Sequence, residues 1–223
     1  MAWQILSSVQ FAYGLIYDWA EIDATITQYG PQNRYKRGLE TTARAERERI
    51  FTAIVTAINR DGEGLEQIRY YSQDGRDLGP FLRAPEVLHL RDVANLLSTL
   101  RVWSYVAMGA LVVGVLFARW HAWQRPSARR ALLGIFLVFV ALIVAVMLYG
   151  PTDLFYQWHT LVFPEDHQWF FYYQESLMTT LMRAPVIFGY IAVLLVGCAF
   201  VVFTALWWGL GRLLANDDAP ARA

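Results

Sequence analysis

Three stretches without a charged side chain constrain this chain more than any other feature. Between Arg101 and Arg119 lie 17 uncharged residues, Val102–Ala118; 22 more run from Ala131 to Thr152, and 28 from Ala184 to Gly211. A bilayer's hydrocarbon core is crossed by a helix of about 20 apolar residues, within a range of about 17–25. Three such helices buried in a soluble protein of 223 residues would leave almost nothing to surround them. The runs therefore read as transmembrane helices. Charged residues make up 17% of the chain, against about 25% for a typical globular domain.

The N-terminus is also uncharged, from Met1 to Tyr17, but it includes Gln4, Ser7, Ser8 and Gln10. Its aromatics, Trp3, Phe11, Tyr13, Tyr17 and Trp19, suggest a membrane-interface belt. It has no basic leader and no small-residue cleavage pattern, so it does not read as a signal peptide. The expectation for 1–17 is a short first transmembrane helix, with a surface-lying amphipathic helix as the alternative.

Loop charges set the orientation. Segment 119–130 carries Arg119, Arg125, Arg129 and Arg130 and no acid, and short basic loops stay in the cytoplasm. Loop 150–183 carries Asp153, Glu165, Asp166 and Glu175 against Arg183 alone, and should face outward. The expected architecture is an all-α membrane protein of about four transmembrane helices (1–17, 102–118, 131–149 and 184–211). A small, mainly helical extracytoplasmic cap, 18–101, lies between the first two, and the tail 212–223 is cytoplasmic. Cysteines placed at Ala128 and Gln168 should then label from opposite sides of the membrane. Labelling of both from outside would defeat this topology.

Within the cap, 12 basic and 13 acidic residues nearly balance. Thr42 is expected to cap a helix running to about Arg60, with Ile50, Ile54 and Ile58 on its apolar face beside Phe51 and Val55. The run Arg44, Glu46, Arg47, Glu48, Arg49 reads as its solvated face. Gly62 and Gly64 end that helix, Gln67–Ser72 suggests a strand, and Asp74-Gly75 a turn. Pro85 suits the first turn of a further helix that lines up Val87, Leu90, Ala94 and Leu97 and continues through Arg101 into the membrane.

Several functions are excluded early. A net charge of zero removes the electrostatic case for a nucleic-acid binder. The single cysteine, Cys198, allows neither an internal disulfide nor a cysteine-rich zinc site. It also lies mid-span among Leu194, Leu195, Val196 and Phe200, where a thiol is a poor nucleophile. No dinucleotide fingerprint, P-loop, zinc-protease or nucleophile-elbow motif occurs. The spans hold no ionisable residue in their interiors, which disfavours a transporter.

Histidines carry the remaining chemistry. His121 lies in the basic loop and reads as a surface residue, whereas His89, His159 and His167 share the outer face. Asp92 stands three residues after His89, on the same helical side, where it could accept an imidazole proton. The bland reading of His89 and His159 is a pair of interfacial histidines. The functional one is acid–base chemistry on a lipid ester or headgroup, since histidine exchanges protons near neutral pH. A zinc site drawn from His89, His159, His167, Asp92 and Asp166 is a third reading, though the spacings match no compact metal motif.

The segment Glu86-Val-Leu-His89-Leu-Arg-Asp92-Val resembles a Glu-x-x-His-hydrophobic-x-Asp-Val segment of a bacterial integral membrane family, which includes the lipoprotein intramolecular transacylases. Trp158-His159-Thr-Leu-Val-Phe163, with Trp169 downstream, resembles its aromatic-His loop. Glu175-Ser-Leu-Met and Pro185 resemble a further acidic segment, and the likeness runs over roughly 18–190. The chain departs from the family pattern at Glu175, where aspartate is expected, and at Val162, where a second phenylalanine is usual.

The resemblance implies an enzyme of the bacterial cytoplasmic membrane with its active face outside. Its partners would be membrane lipids and diacylglyceryl-modified lipoproteins. It would move the sn-2 acyl chain of such a lipoprotein to the amine of its own N-terminal cysteine, with no cofactor and no metal. His89 and His159 map to the site, with Glu86, Asp92, Trp158, Trp169 and Glu175 in support. The two imidazoles are expected to meet at the outer membrane surface, with His159 as base and His89 as acid or oxyanion donor, or the reverse. The alternatives are a metal-dependent membrane hydrolase and a non-enzymatic membrane scaffold. Stoichiometric zinc would mark the first; indifference to His89→Ala and His159→Ala would mark the second.

Overall fold

The computed structural model describes residues 1–121 and 127–215. At the N-terminus the expected single span is absent. Helices α1 (Ala2–Ser8) and α2 (Tyr13–Trp19) have seven residues each, and a 3₁₀ turn over Gln10–Ala12 breaks the chain between them at positive φ. Seven helical residues rise about 10 Å, a third of a hydrocarbon core. The aromatics here belong to a protein core instead of a lipid belt. Phe11, Tyr13 and Tyr17 are buried. Tyr13 stacks on Phe51 with centroids 3.9 Å apart, and its hydroxyl donates to the Leu181 carbonyl at 2.8 Å. Trp3 donates to the Asn59 side chain at 3.0 Å, while Trp19 stays outside, 67% exposed.

Helix α3 (Ile22–Tyr29) leads through an irregular stretch to α4 (Arg44–Asn59). The apolar face of α4 buries Ile50, Phe51, Ile54, Val55 and Ile58, as its spacing predicts. Thr42 does not cap it: its hydroxyl donates to the Leu39 carbonyl at 2.6 Å and accepts from Arg47 Nε at 2.9 Å. Arg47 also departs from the solvated face expected for its charge run, being only 5% exposed. Its guanidinium reaches the Tyr17 hydroxyl at 2.7 Å, the Asp23 carboxylate, and the Glu40 carbonyl at 3.3 Å. Helix α4 closes when the Gly62 N–H donates to the Ala57 carbonyl at 2.9 Å, with Asp61 in the left-handed region and Gly62 itself at φ +84°.

Strands β1 (Arg69–Tyr71) and β2 (Asp77–Pro80) form an antiparallel hairpin around the Asp74-Gly75 turn, pairing Arg69 with Pro80 and Tyr70 with Gly79. Helix α5 (Ala84–Trp120) then runs unbroken for 37 residues, with Val87, Leu90 and Ala94 buried at its start. Helices α6 (Ala128–Tyr149) and α7 (Pro151–Val162) meet at Gly150, whose φ of +97° favours glycine. Six residues form α8 (Leu177–Met182), and α9 (Val186–Ala215) ends the described chain.

The chain divides into two units. The first joins residues 1–104 to the segment from Phe170 onward. Its core is built from α1–α4, the hairpin, the start of α5, α8 and the start of α9. Helix α1 packs against α9 there, and Arg183 ties the α8–α9 junction to the Ala20 carbonyl and to Glu21. The second unit, Tyr105–Trp169, holds the rest of α5, with α6 and α7.

Among the described residues three helices, α5, α6 and α9, are long and apolar enough to cross a membrane. Their apolar windows are almost unburied: Phe136 is 62% exposed and Val193 73%. Apolar surface on this scale needs lipid around it. Arg125 of the basic loop and residues 216–223 of the tail lie outside the described residues.

Candidate active site

Helix α7 lies where the sequence suggested a loop, and it organises His159. The ring is buried, with 8% of the residue exposed. Phe155, four residues earlier, supplies both a carbonyl 2.7 Å from Nδ1 and a ring whose centroid is 3.9 Å away. A carbonyl can only accept, so Nδ1 carries the proton and the neutral ring keeps its lone pair on Nε2. Trp158 meets the imidazole edge-on at 5.1 Å, Trp169 lies tilted at 4.8 Å, and Phe163 at 5.4 Å. Tyr156 meets Trp169 in turn, edge to face, with centroids 5.5 Å apart. The expected supporting residues Trp158 and Trp169 are thus direct neighbours of His159. Phe155 and Phe163 complete the aromatic box.

Burial lowers the His159 pKa below its ordinary 6.5, and the bond to the Phe155 carbonyl pulls it partly back. Folding therefore excludes a proton that the unfolded chain binds below pH 6.5. This contribution to stability is complete above that value, declines as pH falls below it, and levels off below the ring's own lowered pKa. Thermal unfolding midpoints between about pH 8 and about pH 5 should fall on the acid side, and His159→Gln should flatten that decline. An identical pH profile in the two proteins would contradict the assignment.

His89 belongs to the first unit, on the second turn of α5, and is half-buried. Phe171 lies against it with centroids 6.1 Å apart. Asp92 follows one turn later, also half-buried. Glu86 precedes His89 by one turn and is wholly buried; its carboxylate accepts the Arg83 backbone N–H. Glu175 pairs with Arg34 at 3.1 Å, which ties the approach to α8 to the segment after α3. Ser176 beside it is buried and caps α8 by accepting the Thr179 N–H at 2.9 Å.

His121 is exposed, with its ring nitrogen 3.1 Å from the Phe117 carbonyl. His167 sits in a turn and donates its backbone N–H to the Pro164 carbonyl at 3.1 Å. Cys198 is a free thiol on α9. Among the described residues no three His, Cys, Asp or Glu side chains are grouped to hold a metal ion, so the geometry adds nothing to the zinc reading.

Residues 66–185, more than half of the chain, match the family described as lipoprotein intramolecular transacylase Lit. The chain belongs to that family. The matched segment takes in the hairpin, α5 to α8, and all seven candidate residues: Glu86, His89, Asp92, Trp158, His159, Trp169 and Glu175. Lit is a transacylase family that acts on lipoproteins, so the general chemistry is acyl transfer. No curated protein and no solved structure matches the chain.

Proposed function

We propose that this Lit-family chain moves the sn-2 acyl group of a diacylglyceryl lipoprotein to the α-amine of that lipoprotein's N-terminal cysteine. The observation that supports this most is the state of His159. It is a neutral, buried imidazole held in one tautomer by the Phe155 carbonyl, with Nε2 as its proton acceptor. An α-amine has a pKa of about 7.7–8.0 and must lose a proton before it attacks. That first proton passes to water; as the neutral amine nitrogen bonds to the ester carbonyl carbon, His159 Nε2 takes a second proton from it. The tetrahedral oxyanion then collapses, the C–O bond to the glyceryl oxygen breaks, and that oxygen receives a proton. His89, oriented by Asp92, donates to the oxyanion or to the leaving oxygen. The products are an N-acyl amide and a free sn-2 hydroxyl, and no covalent enzyme intermediate is needed.

The acyl donor and acceptor reside in one substrate, so the protein's main task is to fold that substrate into attack geometry. The aromatic rings around His159 suit this task, since they exclude water and pack against acyl chains. Glu86 and Glu175 hold the segments on which the site is built. The enzyme works in the bacterial cytoplasmic membrane with this site on the outer face.

Mass spectrometry of lipoprotein N-termini from cells with and without the chain tests the assignment. N-acylated lyso forms should appear only when the chain is present. Diacylglyceryl termini unchanged by its presence would overturn it.

A further inference from the structure

Helix α1 presents two different faces. Trp3 and Leu6 turn inward and pack on the core that contains Ile187 and Ile191 of α9. Met1, Ile5 and Val9 recur at every fourth residue on another side, where they are 56%, 48% and 55% exposed. No residue from Ala2 to Tyr17 carries a charged side chain.

The neighbours of α1, all within the first unit, place it where the chain enters the bilayer. The Asn59 side chain accepts Trp3 Nε1 at 3.0 Å, and the Asn59 carbonyl accepts Arg101 Nη2 at 3.1 Å. Arg101 is the last charged residue before the uncharged run of α5. On the other spanning helix, α1 packs near the end where the apolar window of α9 opens, at Val186. The exposed side of α1 therefore continues the lipid-facing surface of both helices, where Trp103 is 65% and Val193 73% exposed. Ser7 and Ser8 suit such surroundings. Their hydroxyls donate back to the Gln4 carbonyl at 3.2 Å and the Ile5 carbonyl at 2.7 Å, so neither depends on water for an acceptor. The amide of Gln4 is exposed beside Ile5, which fits the headgroup boundary and not the hydrocarbon centre.

We infer that the outward face of α1 is seated in the outer leaflet, with Met1, Ile5 and Val9 against phospholipid. Amphipathic helices bind membranes through a face of this kind. Three half-exposed side chains offer far less than the roughly 800 Å² per partner of a stable protein interface, which disfavours a second copy of the chain as the occupant. The contact adds a lipid attachment of the first unit to those made by α5 and α9. It requires that those two helices span the bilayer, and it is independent of acyl transfer.

The test is carbene footprinting of the full chain in nanodiscs of phosphatidylglycerol and phosphatidylethanolamine. One diazirine reagent dissolves in acyl chains and the other only in water; mass spectrometry reads the labelled residues. Val193 is the lipid reference, and Tyr35, 61% exposed between Arg34 and Lys36, is the water reference. The ratio of lipid-phase to water-phase labelling at Ile5 and Val9 should exceed that at Tyr35 and approach that at Val193. A ratio no greater than at Tyr35 means that water covers the face, which overturns the inference. Labelling by neither reagent means that protein covers it, a second copy included, and overturns it too. A Val193 ratio equal to that of Tyr35 would remove the membrane reading of α9 and this inference with it. Ile5→Asp, which sets a charge against lipid, should lower the thermal midpoint in nanodiscs, whereas Ile5→Leu should leave it unchanged. An unaltered midpoint for Ile5→Asp overturns the inference; should that variant not fold, the wild-type footprint decides.

Discussion

His159→Ala is expected to lower the rate of acyl transfer by about 10²–10⁴-fold, the usual effect of losing a general acid or base. The assay is the ratio of lyso product to diacyl substrate in reconstituted membranes. Folding is checked by the thermal midpoint. The loss should fall on turnover more than on binding, because the surrounding rings Phe155, Trp158 and Trp169 remain to hold the acyl chains. His89→Ala should be comparably severe. Asp92→Asn should be milder, since the imidazole stays in place. Cys198→Ser is the sharpest control: a thiol within an apolar span is a weak nucleophile, so this variant should keep most activity. An acyl-enzyme route through Cys198 demands the opposite pattern. A well-folded but inactive Cys198→Ser beside an active His159→Ala would sink the mechanism.

Arg47→Met should destabilise the first unit by about 3 kcal/mol, at the low end for breaking a buried charged network. One guanidinium joins the Tyr17 hydroxyl of α2, the Asp23 carboxylate of α3, the Thr42 hydroxyl and the Glu40 carbonyl. The Asp23 side chain is 69% exposed, so water replaces its partner at little penalty. Tyr17 and Thr42 are buried, and water does not reach them as readily. Denaturant unfolding in detergent, followed by far-UV circular dichroism, reads the loss directly. Arg47→Lys should recover only part of it, because an ammonium cannot reproduce the fork of contacts. An unchanged midpoint for Arg47→Met would show that the network contributes nothing.

The three spans were legible because a long run without charge has few outcomes other than a bilayer. The same criterion misread residues 1–17. Absence of charge does not distinguish lipid from the interior of a cap, and Phe11, Ile16 and Tyr17 take the second course. Arg47 was misread through its neighbours' charges. Its spacing to Ile50, Phe51 and Ile54 puts it on the buried stripe, and that was visible in the sequence all along. The sequence puts Glu86, His89 and Asp92 at one-turn intervals, and α5 carries all three. A loop reading of 150–183 hides the box around His159, because Phe155, four residues upstream, meets the imidazole only when the segment is helical.

The two ways in which the long helices end have a mechanical consequence. Helix α5 runs from His89 to Trp120 without a break, whereas α6 stops at Gly150 and α7 begins afresh with Pro151. Bilayers differ in thickness by several ångströms, and spanning helices respond by tilting. Within the second unit, Gly150 at φ +97° interrupts the helical run, so α7, which carries His159, is not a rigid extension of the spanning α6. A mismatch that tilts α6 is therefore not passed on to α7 as it would be along one continuous helix.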